Sequence, residues 1–425
     1  EKGLQYLHRA VLKDLHPGQK YFYAVRGKDD RSVSEQFSFT VPNPAKPVSV
    51  MVYGDMGTKS TGLPYIVYES KQKHYDAVFH VGDVAYDLGT NGGKIGDKFL
   101  DRIQMLSAHV PYMTIPGDHD LFPNSKTHYL HRFSHPSSPW PMSSDKLWYS
   151  LDIGKAHFVC LSTEVFFSDT KNIYTEMDWL VKDLENANAN RKKIPWIIVM
   201  THRPLYCSAE DKNEDCTSAN SIVRKHFEDM FYFYGVDLVI SGHQHLYERT
   251  YPLYKSHALA YNYLDPKGPV HLIIGTMGNP YITEYGSKSR GAWSSVVLSE
   301  KEREMYGHLI IHNSTHLNWE VRSAHDNDVN DGMWMIQRMH GPFNKSSIFI
   351  PDPLGQLGEA WQEEQQSGDI INLKFFYMTD DYANRLTVLG FTMVILLIGI
   401  CFKKKIMNSV RICCVKQEKT QNLHV

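Results

Sequence analysis

Five apolar, β-branched runs in this sequence each end in a residue with an oxygen or nitrogen donor. The runs are Val48–Tyr53, Ala77–Val81, Pro111–Ile115, Trp196–Met200 and Val236–Ile240. A helical pattern lies between two of them, with an apolar stripe at Met177, Leu180, Val181 and Leu184. Strands alternating with helices predict an α/β protein whose strands are buried. Ligands bind at the carboxyl ends of strands in such sheets, so these donors mark a candidate site.

The side chains at the strand ends offer oxygen and nitrogen donors and no thiolate. They are Asp55, Asp83, Tyr86, Asp118, His202, His243 and His245. Carboxylate, phenolate and imidazole ligands suit iron, manganese or zinc rather than a soft metal. A single histidine, or Tyr86 alone, is more often a structural residue. Five strand-end motifs in series are hard to obtain by chance, so the sequence predicts a metal site.

Two metal ions would suit the hydrolysis of a phosphate ester. Ions about 3.5–4 Å apart clamp the attacking and leaving oxygens and lower the pKa of bound water to about 7. One carboxylate must bridge them, and Asp83 is central in the set. No serine or cysteine stands beside a histidine as a nucleophile would. We therefore expect a metal-bound hydroxide to attack phosphorus in line, without a covalent phosphoenzyme.

Short motifs in this chain resemble the signature of the purple acid phosphatases, within the calcineurin-like metallophosphoesterase superfamily. They are GDMG (54–57), GDVAY (82–86), GDHD (117–120), VMTH (199–202) and GHQH (242–245). Order and rough spacing match over about residues 48–250, and stretches such as RPLYCS (203–208) resemble the animal long-form members. The resemblance implies an α/β metallophosphoesterase β-sandwich flanked by helices. It also implies an acid phosphatase that hydrolyses phosphate monoesters.

The resemblance also implies a role for each ligand. Those of a ferric ion would be Asp55, Tyr86 and His245, and those of a divalent ion Asp118, His202 and His243. The divalent ion is iron, zinc or manganese in the family, and Asp83 would be the bridge. A phenol with a pKa near 10 ionises in acid only beside a strong Lewis acid, so Tyr86 favours Fe(III). An optimum on the acid side of neutral is therefore expected.

The third motif departs from the family, which usually has asparagine where this chain has Asp118. The carboxylate adds one negative charge, which predicts weaker phosphate binding or a changed metal preference. His119 follows it, and the resemblance implies that His119 contacts phosphate or helps to protonate the leaving group. A packing or hydrogen-bonding role is the alternative for His119.

The loop after His202 is a second departure. Plant-type members place a substrate-contacting histidine pair where this chain has Asp211–Lys212. Arg203, Tyr206 and His257 are the nearby polar candidates for a substrate contact, and substrate preference stays open.

The apolar, aromatic and β-branched pattern of residues 1–43 predicts short strands at Tyr6–Leu12, Lys20–Arg26 and Gln36–Val41. They resemble the end of a fibronectin-III-like β-sandwich. The proline-rich linker at 42–47 predicts a boundary. The metallophosphatase domain would then span 48–330, with a loop-rich extension or stalk at 331–385.

An uncharged apolar segment lies at 386–402 and is followed by three lysines. Its length is at the short limit for a membrane helix, and lysines mark the cytoplasmic side. We expect a single-pass membrane protein with an extracellular or luminal catalytic domain and a cytoplasmic tail at 403–425. A buried core helix and a removed anchor signal are the alternatives.

Cysteines and sequons agree with that topology. Cys207 and Cys216 flank a polar loop, and a disulfide there would suit an oxidising compartment. Asn313 and Asn344 are glycosylation acceptors in form. The formal net charge is −2 and no basic stripe interrupts the chain, which argues against a nucleic-acid partner.

Three functions compete. The first is an acid phosphatase acting on small phosphorylated substrates outside the cytosol. The second is a phosphodiesterase or nucleotide pyrophosphatase, because fold and metal site do not fix the ester class. The third is a surface protein silenced by the change at Asp118. Six unchanged ligands argue against it. The oligomeric state is open.

Overall fold

The apolar runs form strands of two sheets in the computed structural model, which describes residues 6–27, 33–209, 215–218, 220–279, 290–299 and 304–343. The strands are β1 Lys20–Tyr23, β2 Phe37–Thr40, β3 Val48–Tyr53, β4 Ala77–Val81, β5 Tyr112–Ile115, β6 Tyr149–Ile153, β7 Ala156–Cys160, β8 Trp196–Thr201, β9 Leu238–Ser241, β10 Leu246–Thr250, β11 Leu253–Tyr254, β12 His257–Ala258, β13 Val270–Ile274, β14 Ser294–Ser299, β15 Met305–Ile311, β16 His316–Ser323 and β17 Val329–Ile336. The helices are α1 Leu63–Gln72, α2 Lys94–Ser107, α3 Asp118–Leu121, α4 Lys126–Arg132, α5 Ile173–Ala189 and α6 Ile222–Phe233.

Each large sheet mixes parallel and antiparallel pairs. The first has the order β17-β16-β15-β3-β4-β5, and β3, β4 and β5 are parallel. The second has the order β14-β10-β13-β9-β8-β7-β6, and β7, β8, β9 and β13 are parallel. The parallel strands β3, β4, β5, β7 and β8 lead into helices, as the sequence pattern predicts, whereas β9 and β13 lead into further strands.

Side chains from both sheets share one core. The rings of Phe79 on β4 and Phe158 on β7 stack with centroids 4.8 Å apart. Trp319 on β16 donates a hydrogen bond to the Tyr247 hydroxyl on β10, at 3.1 Å. All four side chains are buried, and burying a large apolar side chain contributes about 1.5–3 kcal/mol. This core fixes the two sheets against each other as a β-sandwich, and the predicted fold class is confirmed.

The predicted N-terminal strands form in part. β1 and β2 pair antiparallel, and this small sheet contacts the end of α2 through Tyr23, which donates to the Ala108 carbonyl at 2.9 Å. The prediction of a strand at Tyr6–Leu12 is wrong, because the described residues 6–12 are irregular. Tyr6 is 74% exposed, and an apolar run forms a strand only where a neighbouring strand pairs with it.

The first sheet continues past residue 330, where the sequence places the end of the domain. β17 pairs with β16 from His316↔Ile336 to Arg322↔Val329. Its outer positions are exposed, which weakens the strand pattern in the sequence. Beyond β17, Gln337 still donates a hydrogen bond to the Pro266 carbonyl.

Several predicted features lie outside the described residues. These are the remainder of the extension from 344, the apolar segment at 386–402, the tail at 403–425, the loop pair Asp211–Lys212 and the sequon at Asn344. Within the described ranges, none of the helices is both long and apolar enough to span a bilayer.

Candidate metal centre

The predicted ligands follow strands of both sheets and meet at one edge of the sandwich. Asp55 and Asp83 follow β3 and β4, while His202 and His243 follow β8 and β9. Four ligands occupy the left-handed region of backbone space: Asp55 (φ 59°), Asp83 (φ 52°), Tyr86 (φ 46°) and His243 (φ 65°). Such backbone is uncommon for residues other than glycine and concentrates at functional sites.

The glycines of the motifs let the chain segments approach each other closely. A Cβ added at Gly117 would lie 2.2 Å from Asp83 Oδ1, and one at Gly82 would lie 2.2 Å from His202 Nδ1. Gly82 also has a φ of +92°. In each Gly–Asp motif the aspartate therefore supplies a donor atom, and the glycine leaves room for a neighbouring ligand.

One group of ligands forms around Tyr86. Its hydroxyl donates to Asp55 Oδ1 at 3.2 Å and lies 3.0 Å from His245 Nε2. His245 Nε2 lies 3.4 Å from the same Asp55 oxygen. These are the three residues that the sequence assigns to a ferric ion.

A second group forms around Asp118. Asp118 Oδ1 lies 3.1 Å from His202 Nε2 and 3.3 Å from His243 Nδ1. The donor atoms of these three residues all lie within 4.8 Å of one another. These are the residues that the sequence assigns to a divalent ion.

Asp83 lies where the two groups meet. Its donor atom lies within 4.8 Å of those of both Asp55 and His202. Its Oδ1 also accepts a hydrogen bond from the His119 backbone N–H at 3.1 Å. The Asp83 carboxylate thus lies close to both groups, with Oδ1 3.5 Å from His202 Nε2.

The electrostatics of the cluster suit a cation. Burial, together with the charges of Asp118 and Asp55, raises the pKa of Asp83 well above its ordinary value. Burial and the Asp55 charge likewise raise the pKa of the Tyr86 phenol. Metal ions between these oxygens would remove the repulsion, and carboxylate, phenolate and imidazole are a donor set that iron and zinc accept. The residues present therefore fit the metals that the sequence implies.

Asp118 differs from Asp83 in its surroundings. Burial would raise its pKa, but hydrogen bonds with His202 and His243 and the charge of Arg203 hold that pKa well below its usual range. Asp118 therefore carries its charge where an asparagine would be neutral.

His119 packs against two aromatic rings and is bonded to a carboxylate. Its centroid lies 4.7 Å from that of Tyr86 and 4.8 Å from that of Phe122. Nδ1 lies 2.8 Å from Asp87 Oδ1. Burial lowers the pKa of His119, but the Asp87 hydrogen bond and nearby carboxylates outweigh burial and raise it. Sequence reasoning missed Asp87, although Asp87 directly follows Tyr86, the last residue of the second motif.

Of the three polar candidates Arg203, Tyr206 and His257, only Arg203 has a contact with a proposed ligand. Its Nη1 lies 3.1 Å from His243 Nε2. Tyr206 lies beneath the Arg224 guanidinium, 3.9 Å from ring centroid to Cζ. His257 lies on β12 and contacts the Lys255 carbonyl.

Two buried carboxylates near the ligands were also missed. Glu164 pairs with Arg203, with Oε1 2.7 Å from Nε. Asp120 accepts hydrogen bonds from the Gly117 and Val84 backbone N–H groups, and burial raises its pKa to about 7. Asp120 belongs to the third motif and could have been found there. Glu164 belongs to none of the five motifs.

The predicted disulfide is present. Cys207 and Cys216 are bonded, with their Cα atoms 5.3 Å apart. Cys160 is buried and free.

Comparison with known proteins agrees with this site. Residues 48–247 match the calcineurin-like phosphoesterase family, and residues 268–332 match the iron/zinc purple acid phosphatase-like protein C family. The chain is 38% identical to acid phosphatase type 7 of Mus musculus over 357 residues, covering 79% of this chain and 78% of that protein. It is 37% identical to the Homo sapiens protein of the same name, with the same coverage.

A solved structure shares the fold. The purple acid phosphatase from yellow lupin (Lupinus luteus) seeds superposes with a TM-score of 0.66 at 23% identity, covering 80% of this chain and 64% of that one. Together with the motifs and the two groups of ligands, these matches show that the chain belongs to the purple acid phosphatase family.

Proposed function

We propose that this protein is an acid phosphatase that hydrolyses small phosphate monoesters at a two-metal centre. The observation that carries this proposal is the position of Asp83, because its carboxylate lies within 4.8 Å of donor atoms from both groups of ligands. All seven predicted ligands are described, and each lies in one of the two groups or between them. That arrangement argues against a silenced site.

The proposed ferric ligands are Asp55, Tyr86 and His245, and the proposed divalent ligands are Asp118, His202 and His243. The divalent ion is zinc, iron or manganese. When bound, such ions polarise the phosphoryl group and lower the pKa of a coordinated water. Burial of Asp55, Asp83 and His202 keeps bulk water from the floor of the site and strengthens the electrostatic effect of every charge there.

His119 is proposed to contact the substrate. Asp87 holds Nδ1, and the rings of Tyr86 and Phe122 fix the plane of the imidazole. The other ring nitrogen, Nε2, is left for a phosphoryl or leaving-group oxygen. A positioned histidine of this kind contributes typically 10²–10⁴-fold to a proton transfer.

Metal analysis and a visible absorption spectrum of the purified protein test the metal assignment. We expect one iron, one second metal and a broad visible band from Tyr86 bound to Fe(III). Two divalent metals without colour would place the protein in the wider metallophosphoesterase group. No bound metal would support a silenced site.

Rates on a phosphate monoester and on a diester test the ester class. Para-nitrophenyl phosphate and bis-para-nitrophenyl phosphate share a leaving group, so their ratio isolates the class of ester. We expect the monoester to be hydrolysed faster in acid. A faster diester would favour a phosphodiesterase or nucleotide pyrophosphatase.

We also propose that residues 386–402 anchor the protein in a membrane, with the catalytic domain outside the cytosol. The Cys207–Cys216 disulfide supports an oxidising compartment. Asn313 is exposed in the β15–β16 turn, where its Oδ1 accepts from Thr315 Oγ1 at 3.0 Å. A glycosidase-sensitive mass at Asn313 and resistance to alkaline extraction would both be expected. Release of the protein by alkali would contradict the anchor.

A further inference from the structure

Two exposed phenylalanine rings border the side chains around the metal centre. Phe122 packs against His119, with ring centroids 4.8 Å apart. Phe167 lies against the Arg203 guanidinium, whose Cζ is 4.2 Å from the ring centroid. Both phenylalanines are 42% exposed, although phenylalanine is among the side chains most often buried. A pair of exposed rings at one site, unlike an isolated apolar residue, indicates a binding surface.

Each ring is separated from the proposed ligands by a single side chain. The His119 ring, against which the first phenylalanine packs, lies 4.7 Å from the Tyr86 ring between centroids. The Arg203 guanidinium, against which the second phenylalanine packs, has its Nη2 3.7 Å from Asp118 Oδ2. Tyr86 belongs to the proposed ferric group and Asp118 to the proposed divalent group. One ring therefore borders each half of the centre.

The loops that carry the two rings are joined to each other by an ion pair. Lys126 Nζ lies 2.9 Å from Asp169 Oδ2, and the Asp169 side chain is 6% exposed. The Lys126 backbone N–H donates to the Phe122 carbonyl at 2.9 Å, while Asp169 stands two residues after Phe167. The two rings therefore lie on neighbouring loops whose spacing is fixed.

The leaving group of a phosphate ester is bonded to the phosphoryl group, so it lies against the walls of the site when the phosphoryl group is at the centre. Phenylalanine offers such a group apolar area and the face of its ring, with neither a charge nor a hydrogen-bond donor.

We propose that Phe122 and Phe167 bind the leaving group of the substrate, and that this group is planar and uncharged, as in an aryl phosphate monoester. This inference rests on the proposed function, because the metal centre supplies the phosphoryl site beside the two rings. It adds the substrate class, which the ligands alone do not define.

The test is binding of phenylphosphonate and of methylphosphonate to the metal-loaded full chain, measured by calorimetry. A P–C bond replaces the ester bond in both, so neither is hydrolysed, and they differ in the group that stands for the leaving group. We expect the wild type to bind phenylphosphonate more tightly. Phe122→Ala and Phe167→Ala should each weaken phenylphosphonate binding about three- to tenfold, the range for one aromatic contact, and leave methylphosphonate binding unchanged.

Phe22→Ala is the matched control. Phe22 on β1 is 52% exposed and also lies beside a cation, with Lys20 Nζ 5.3 Å from its ring centroid. This variant should bind both phosphonates as the wild type does. Equal affinity of the wild type for the two phosphonates would overturn the inference, as would unchanged phenylphosphonate binding in both Phe122→Ala and Phe167→Ala.

If an alanine variant loses metal, does not fold or weakens both phosphonates equally, the corresponding leucine variant decides. Phe122→Leu and Phe167→Leu keep most of the apolar volume and lose the planar ring. A loss of affinity confined to phenylphosphonate would support the inference. Unchanged binding, or an equal loss for both phosphonates, would overturn it.

Phosphonate binding involves no turnover, so the two proposals fail separately. A protein that binds phenylphosphonate through the two rings and hydrolyses no monoester contradicts the proposed function alone. A protein that hydrolyses monoesters and binds phenylphosphonate equally well without either ring contradicts this inference alone.

Discussion

Individual side chains of the metal centre are held in place by strained backbone and by glycine. Asp55, Asp83, Tyr86 and His243 have positive φ angles, and such conformations cost about 1–3 kcal/mol each. They persist because the strands and loops around them leave no alternative.

Gly117→Ala should displace Asp83 and empty the centre. The added Cβ would lie 2.2 Å from Asp83 Oδ1 and 2.6 Å from the Asp83 backbone nitrogen, so the backbone must shift. We expect loss of bound metal and destabilisation by about 2 kcal/mol or more. Gly332→Ala is the control, because its nearest neighbour would be 3.3 Å away. Full metal content in Gly117→Ala would contradict this account.

Tyr86→Phe should remove the visible band and most of the activity. The phenol contacts both Asp55 and His245, so its loss would leave the proposed ferric ion without a phenolate ligand. The absorption spectrum and metal content are the readouts. Tyr261→Phe, at an exposed tyrosine, should change neither. A wild-type spectrum in Tyr86→Phe would rule out phenolate ligation.

The ligand positions were predictable because each follows a strand or shares a short motif with one that does. Arg203 was predictable only as one of three candidates, since nothing local distinguishes it from Tyr206 or His257. Its partner Glu164 lies in a different loop, and the parallel pairing of β7 with β8 in the second sheet brings the two loops together. Side chains paired across loops carry no signal in a single sequence.

Among the strands, those with buried faces were predicted best. The predicted bounds of β3 and β4 match the structure, because continuous apolar runs with no exposed position are unambiguous. β17 alternates between exposed and buried positions at the sheet edge, and it was assigned to the extension. At residues 6–12 the sequence predicted a strand that does not form. Apolar character alone does not make a strand, because a strand also needs a neighbouring strand to pair with.

The packing of α5 on the second sheet depends on pH through His157. Its Nδ1 lies 2.7 Å from Asp152 Oδ1 and its Nε2 lies 2.9 Å from Asp183 Oδ2, on β6 and α5 respectively. Burial lowers the pKa of His157, but the hydrogen bonds with Asp152 and Asp183 outweigh it and raise that pKa to about 9. The charged imidazole therefore stabilises the fold fully below pH about 6.5, and this contribution is lost as pH rises through about 9.

His157→Gln should lower the free energy of unfolding by about 1–2 kcal/mol at pH 6 and by much less at pH 10. Urea unfolding at fixed metal concentration measures the difference. His131→Gln, at an exposed histidine on α4, is the control and should show no such trend. An equal loss at both pH values would mean that shape rather than charge matters at His157.

In the protein as a whole, the metal centre joins the two sheets. Asp55 and Asp83 follow strands of one sheet, and His202 and His243 follow strands of the other. Metal bound to all of them links the sheets at one edge, beyond the apolar core between them. Metal binding and global stability are therefore coupled.

Removing the metals with a chelator should lower the melting temperature by several degrees. A ligand at 100 times its dissociation constant stabilises the folded state by about 2.7 kcal/mol. Differential scanning calorimetry before and after chelation measures the shift, and adding metal back should reverse it. In Gly117→Ala the chelator should have little effect. An unchanged melting temperature in metal-depleted wild type would show that the core alone holds the sheets.

The pairing of β15 with β3, through Gly307↔Val52 and its neighbours, sets the timing of assembly during synthesis. The strand that carries Asp55 at its end has one side unpaired until a partner about 250 residues later leaves the ribosome. At about 5–20 residues per second, that interval is roughly 12–50 s. A nascent chain must keep this strand edge from pairing with other chains during the interval.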